Sequence, residues 1–95
     1  MIRYVTLLRF TEQGVKNLKK STARAADFRE AAAKACVNVE TQYWTGGAYD
    51  GVLIFSAEDE NNALRCLAAL AAAGNVRTET LRAFNAKEFE AIAGK

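Results

Sequence analysis

From Gly51 to Phe55 the chain reads Gly-Val-Leu-Ile-Phe, a run without a polar residue. β-Branched and aromatic side chains dominate it, and the turn-forming Gly46-Gly47 pair lies just ahead, so a strand is expected. Successive strand residues point to opposite faces of a sheet. This strand, expected from Tyr49 to Phe55, therefore puts Tyr49, Gly51, Leu53 and Phe55 on one face and Val52 and Ile54 on the other. The segment from Ile2 to Phe10 repeats the pattern, with Ile2, Tyr4, Leu8 and Phe10 opposing Val5 and Leu7. Any admissible fold has to account for central strands that are apolar on both sides.

The remaining elements narrow the choice. After Thr11, a residue type suited to cap a helix, a short stripe of Val15 and Leu18 is interrupted by Gly14, which weakens a regular helix. Ser21 or Thr22 marks a break or a fresh cap. Ala23 to Ala35 is a strong helix, rich in the best helix former, with Ala25, Phe28 and Ala32 on one face. Val37 to Trp44 is a second strand, in which Val37, Val39, Thr41 and Tyr43 alternate with Asn38, Glu40, Gln42 and Trp44. Gly46-Gly47 supplies the left-handed conformations of a tight hairpin. Ser56 and Asp59 read as a variant capping box ahead of a helix that runs to Ala73 and stops at Gly74. A fourth strand spans Asn75 to Phe84, and a short helix, Ala86 to Ala93, closes the sequence.

The order is strand, helix, strand, strand, helix, strand. With right-handed crossovers it predicts an α+β, ferredoxin-like βαββαβ domain over residues 1–95, with a four-stranded antiparallel sheet, both helices on one face and a short C-terminal helix. Helices then cover one face only. The apolar residues of the other face predict a cover, either a second copy, giving a homodimer with facing sheets and a barrel-like interior, or the C-terminal segment folded back.

Composition removes several functions. The 95 residues carry a net charge of +2 with scattered basic residues, so no nucleic-acid groove is expected. Arginines interrupt the N-terminal apolar run and no stretch approaches a membrane span, so no membrane partner or targeting segment is expected and a cytoplasmic location is the default. Histidine is absent, which removes His-based acid–base chemistry and the usual metal sets. Neither metal nor cofactor is expected. Cys36 and Cys66 form no Cys-x-x-Cys motif and are read as free thiols.

The candidate site residues are the polar and aromatic side chains on the strands. Tyr49 and Asp50 sit between glycines, where Asp50 either fixes the turn through backbone donors or serves with Tyr49 in proton transfer. Tyr4, Thr6, Trp44, Arg77 and Arg82 are candidate ligand-binding residues. Several also have a structural reading: Thr6 as a satisfied core hydroxyl, Trp44 as packing, Arg77 with Glu79 as an ion pair.

Three segments carry a resemblance: "YVTLLRFTEQGVKNLKKS" (Tyr4 to Ser21), "YWTGGAYDGVLIF" (Tyr43 to Phe55) and "GNVRTETLRAF" (Gly74 to Phe84). Together they resemble the GYD domain family, small and mostly bacterial proteins named for a Gly-Tyr-Asp motif. Tyr49-Asp50 matches its Tyr-Asp, and Arg77-Thr78-Glu79 its Arg-Thr-Glu, although Ala48 separates Gly47 from Tyr49 here. The resemblance implies a dimeric α/β-barrel assembly. Relatives of that broader fold include cofactor-independent monooxygenases, isomerases and sensory domains. Two functions follow as expectations: a non-catalytic assembly or small-ligand-binding module, or a small cofactor-independent enzyme acting on an aromatic or anionic molecule.

Overall fold

A computed structural model describes residues 1–94. The elements run β1 (Ile2–Phe10), α1 (Glu12–Lys16), one turn of 3-10 helix (Leu18–Lys20), α2 (Ser21–Lys34), β2 (Val37–Trp44), β3 (Gly51–Ala57), α3 (Glu60–Ala72), β4 (Val76–Ala83) and α4 (Ala86–Ala93). The strands form one antiparallel sheet in the order β2-β3-β1-β4, the ferredoxin-like arrangement expected from the sequence. α2 and α3 bring Ala32, Ala63 and Cys66 onto the same core as Val37, Leu53, Phe55 and Ala57. Alanine at the contact lets both helices approach the sheet closely, and Ala32 and Ala63 are buried.

The expected barrel is not formed. The sheet is open, with β2 and β4 as its two edges. A single chain supplies four strands, half of the about eight that the smallest closed barrels take. Nor does the C-terminal helix fold back as a cover. α4 forms, with Asn85 and Glu88 in a reciprocal capping box, but Phe89 and Ile92 stay 59% and 64% exposed.

Several boundaries differ from expectation for identifiable reasons. β3 starts at Gly51, because Tyr49 and Asp50 spend their bonds on the turn, and it continues through Ser56 and Ala57, which pair with Arg3 and Ile2. Ser56 is therefore a strand residue and not a cap; Asp59 caps α3 alone, its carboxylate accepting from Asn61 N. In the β2–β3 turn only Gly47 takes a positive φ, +134°. Gly14 sits inside α1 because its bare Cα lies against the Asn75 carbonyl, where a Cβ would collide. Thr11 holds the same junction, its hydroxyl donating to Gly74 O at 2.6 Å and accepting from Gly14 N at 3.1 Å.

The most consequential difference lies in β2. Register against β3 slips between Val39 and Thr41, leaving Glu40 as the extra residue of a β-bulge. Alternation therefore reverses along the strand. Val37 and Val39 face the helices opposite Ala57 and Phe55; beyond the bulge Gln42 and Trp44 take over that face opposite Leu53 and Gly51, and Thr41 and Tyr43 turn outward.

Candidate functional site

Two sites lie back to back at the turn end of the sheet. On the helix side, a cleft of about 350 Å³ opens between α2 and α3. Its floor is Leu8, Phe10, Gly51 and Leu53, and its helical walls include Ala25, Phe28, Ala69 and Leu70. Small side chains leave the space open: Ala25 and Ala31 of α2 line it, as do Ala69 of α3 and Ala73 at its end. Polar groups stand at the edge, Arg24 and Asp27 from α2, Trp44 from β2, and Asp50 from the turn.

On the open face, Leu7, Arg9, Tyr49, Arg77, Thr78 and Glu79 line a shallow depression. The Tyr49 hydroxyl donates to Glu79 Oε2 at 2.7 Å. The Arg9 guanidinium carbon lies 4.6 Å from the centre of the Tyr49 ring, within cation–π range. The hydrogen bond to Glu79, reinforced by its negative charge, pushes the Tyr49 phenol above its ordinary value. Arg9 and Arg77 are cross-strand neighbours in the β1–β4 register; such like charges repel, and Glu79 supplies the nearby counter-charge.

Tyr49 and Asp50, adjacent in sequence, thus serve opposite sides of the sheet. Asp50 is held by three bonds: its N–H donates to Leu8 O at 2.7 Å, its Oδ2 accepts from Phe10 N at 2.8 Å, and its carbonyl accepts from Thr45 N at 3.0 Å. The carboxylate ties the turn to the end of β1. Trp44 shares the cleft with Asp50 and donates through Nε1 to Ser21 Oγ at 2.9 Å. Arg77 shares the open-face depression with Tyr49. The other three candidates lie elsewhere. Tyr4 stacks on Phe55 with ring centres 5.3 Å apart. Thr6 is fully buried, and its hydroxyl bonds to that of Thr80 at 2.9 Å. Arg82 lies over Phe84, 4.4 Å from the ring centre, and donates to the Arg3 and Ala83 carbonyls.

Sequence reasoning misses the pair at the opposite end of the open face. Arg3 donates to Glu40 through Nε at 2.8 Å and Nη2 at 3.0 Å. This bidentate bond holds the Glu40 carboxyl below its ordinary range and raises Arg3. Glu40 reaches Arg3 from the bulge, which alternation along β2 does not announce. Arg24 and Asp27 also escape it; their spacing of three on a helix is the available signal. Among the described residues, no group of three or more His, Cys, Asp or Glu side chains is placed to hold a metal ion, and no helix is long and apolar enough to cross a membrane. Cys66 is buried, and burial pushes its thiol up, whereas Cys36 is exposed.

Comparison with known proteins fits this architecture. The chain is 32% identical over 84 residues to the glutamine synthetase and cystathionine beta-lyase binding protein of Thermus thermophilus, an alignment covering 87% of this chain and 88% of that one. The crystal structure of TTHA0845, from the same organism, superposes with a TM-score of 0.56 at 28% identity, covering 90% of this chain and 96% of that one. Residues 4–93, which hold nearly the whole sheet, the cleft and the open-face cluster, match the GYD domain, and the chain belongs to that family.

Proposed function

We propose that this chain is a non-catalytic binding module that docks an enzyme partner on the open face of its sheet. The observation that carries the reading is the composition of that face. Val5, Leu7, Val52, Ile54 and Leu81 occupy adjoining positions across β1, β3 and β4, and none of them is fully buried. Leu81 is 49% exposed, and Tyr43, on the same side, is 61% exposed. The Arg3–Glu40 pair closes one end of this band and the Arg9–Tyr49–Glu79–Arg77 cluster the other. An apolar centre with a polar rim is the anatomy of a protein interface, and a contiguous apolar patch marks an interaction site. The relative that binds glutamine synthetase and cystathionine beta-lyase indicates the class of partner.

The enzyme reading has less support. It requires Tyr49 and Asp50 to act together with Arg77 or Arg82, and Tyr49, Asp50 and Arg82 are divided between two faces and engaged by other groups.

The test is calorimetric titration of the purified chain with purified glutamine synthetase and cystathionine beta-lyase from its own organism. Saturable binding to one of them is expected, weakened at least about ten-fold by Leu81→Asp, which places a charge at the exposed β4 side of the band, next to Val5. Lack of binding to both enzymes, or binding that Leu81→Asp leaves unchanged, overturns the reading.

A further inference from the structure

The cleft on the helix side is a second, independent feature, and its chemistry is specific. Its interior is apolar: Leu8, Phe10, Phe28, Leu53 and Leu70 face a volume of about 350 Å³. A dry apolar cavity of about 150 Å³ accommodates benzene, so this space takes a phenyl, indole or branched aliphatic group with room for a short stem. Small-molecule sites combine such a lining with a few placed polar groups.

Here the polar groups are of both signs. Arg24 and Asp27 lie three apart on α2 and both line the cleft, so they are neighbours on one helix face. They do not neutralise each other: among the described residues the ion pairs are Arg3–Glu40 and Glu30–Lys34. Arg24 is anchored by donating from Nη1 to Asn17 O at 2.7 Å, which orients the guanidinium and leaves its other donors available. Asp27 accepts no hydrogen bond from a side chain among the described residues, and Asp50 brings a second carboxylate to the cleft. An anchored guanidinium beside an unengaged carboxylate, over an apolar slot, complements a molecule with a carboxylate and an ammonium on one carbon and a bulky apolar group attached.

We infer that the cleft between α2 and α3 is a binding site for a free α-amino acid with a large apolar side chain. Arg24 receives the carboxylate, Asp27 the ammonium, and the slot between Phe28 and Leu70 the side chain. This site lies on the face opposite the proposed protein-docking surface, so either assignment can fail alone.

The test is calorimetric titration of the intact chain with L-phenylalanine, phenethylamine and 3-phenylpropionate. The three probes share the aromatic group and differ in the charges on the head. L-Phenylalanine should bind saturably and at least about ten-fold more tightly than either analogue, since each lacks one charge-assisted contact. Arg24→Gln should weaken L-phenylalanine and 3-phenylpropionate but spare phenethylamine; Asp27→Asn should weaken L-phenylalanine and phenethylamine but spare 3-phenylpropionate. Both substitutions are at the helix surface, and circular dichroism verifies that each variant is folded. Ala69→Phe, which fills the slot from α3, should abolish binding of all three probes. No saturable binding of L-phenylalanine overturns the inference. So does an analogue that binds as tightly as the amino acid, or binding that survives Ala69→Phe.

Discussion

β3 presents two faces made of equally apolar residues to different surroundings. Leu53, Phe55 and Ala57 point at the helices and are each 1% exposed. Val52 and Ile54, interleaved with them, point at the open side and remain only half-buried. Side-chain hydrophobicity does not distinguish the two sets. What distinguishes them is whether an element of the same chain lies over them. The chain's stability is therefore concentrated on one side of the sheet, and the apolar surface of the other side is available for recognition. The polar residues follow the same division: Thr6 is paired in the interior with Thr80, while Arg9, Tyr49, Arg77 and Glu79 meet at the solvent side.

Alanine substitution on each side is the most severe test of this contrast. Phe55→Ala removes a fully buried ring that stacks on Tyr4 and should cost about 3–5 kcal/mol in urea unfolding. Val52→Ala, on the open face of the same strand, should cost about 1 kcal/mol, because the site is already partly hydrated. Equal losses would mean that the open face is covered in solution and would remove the distinction.

The next effect concerns the junction between the two sides. Asp50→Ala strips Phe10 N of its acceptor at 2.8 Å and should cost about 2 kcal/mol, the range for a hydrogen bond to a charged group. Asp50→Asn keeps an acceptor in place and should lose less. Amide hydrogen exchange localises the effect: Phe10 N–H should lose protection in Asp50→Ala before the centre of β1 does. An exchange rate unchanged at Phe10 would show that the carboxylate does not hold the turn.

How much of this is legible in the sequence depends on whether a residue obeys its local period. Strand and helix order, the division of β3 into two apolar sets and the ferredoxin-like topology follow from alternation and alanine-rich helical stretches; which set is the core is decided by where the helices lie. The bounds of β2, Val37 to Trp44, follow from the same pattern. The side on which Tyr43 and Trp44 fall does not, because the bulge at Glu40 reverses the alternation and no glycine or proline marks it. The two-faced apolar pattern locates an uncovered surface. It does not determine what covers it, since apolar content measures the tendency to be buried and carries no identity for the partner; the barrel expectation goes beyond that limit. Tyr49 and Asp50 draw attention as a motif, whereas alternation, which sends neighbours to opposite faces, argues against a joint site for them.

A smaller and opposite change is expected at the end of α2. Cys36 adopts φ +62°, the left-handed conformation, directly after the cap residue Ala35, a position where glycine is usual and other L-residues are strained. Cys36→Gly should raise stability by about 1 kcal/mol and leave both faces of the sheet unchanged. A loss of stability would mean that the exposed thiol makes a contribution greater than the relief of strain.

The smallest expected effect lies on the open face itself and is visible chiefly through pH. The Tyr49 phenol donates to Glu79, and its proton is held above the ordinary tyrosine value of about 10. A group whose folded value is raised contributes stability that is fully present below its unfolded value and is lost as pH rises through the folded one. The contribution of the Tyr49–Glu79 bond should thus be constant through neutral pH and decline only in the alkaline range above about 10. Tyr49→Phe keeps the ring under Arg9 and removes the hydroxyl. Its stability should fall slightly below that of the parent chain at neutral pH, and the two should converge at alkaline pH as the parent's phenol ionises beside the Glu79 carboxylate. Phenolate absorbance, compared between the two proteins, places the titration independently. If Tyr49 ionises at or below the ordinary value, the Arg9 cation dominates the ring and the Glu79 bond does not. The open-face cluster would then be an electropositive patch centred on Arg9 and Arg77, with a different preference in the charge of the surface it meets.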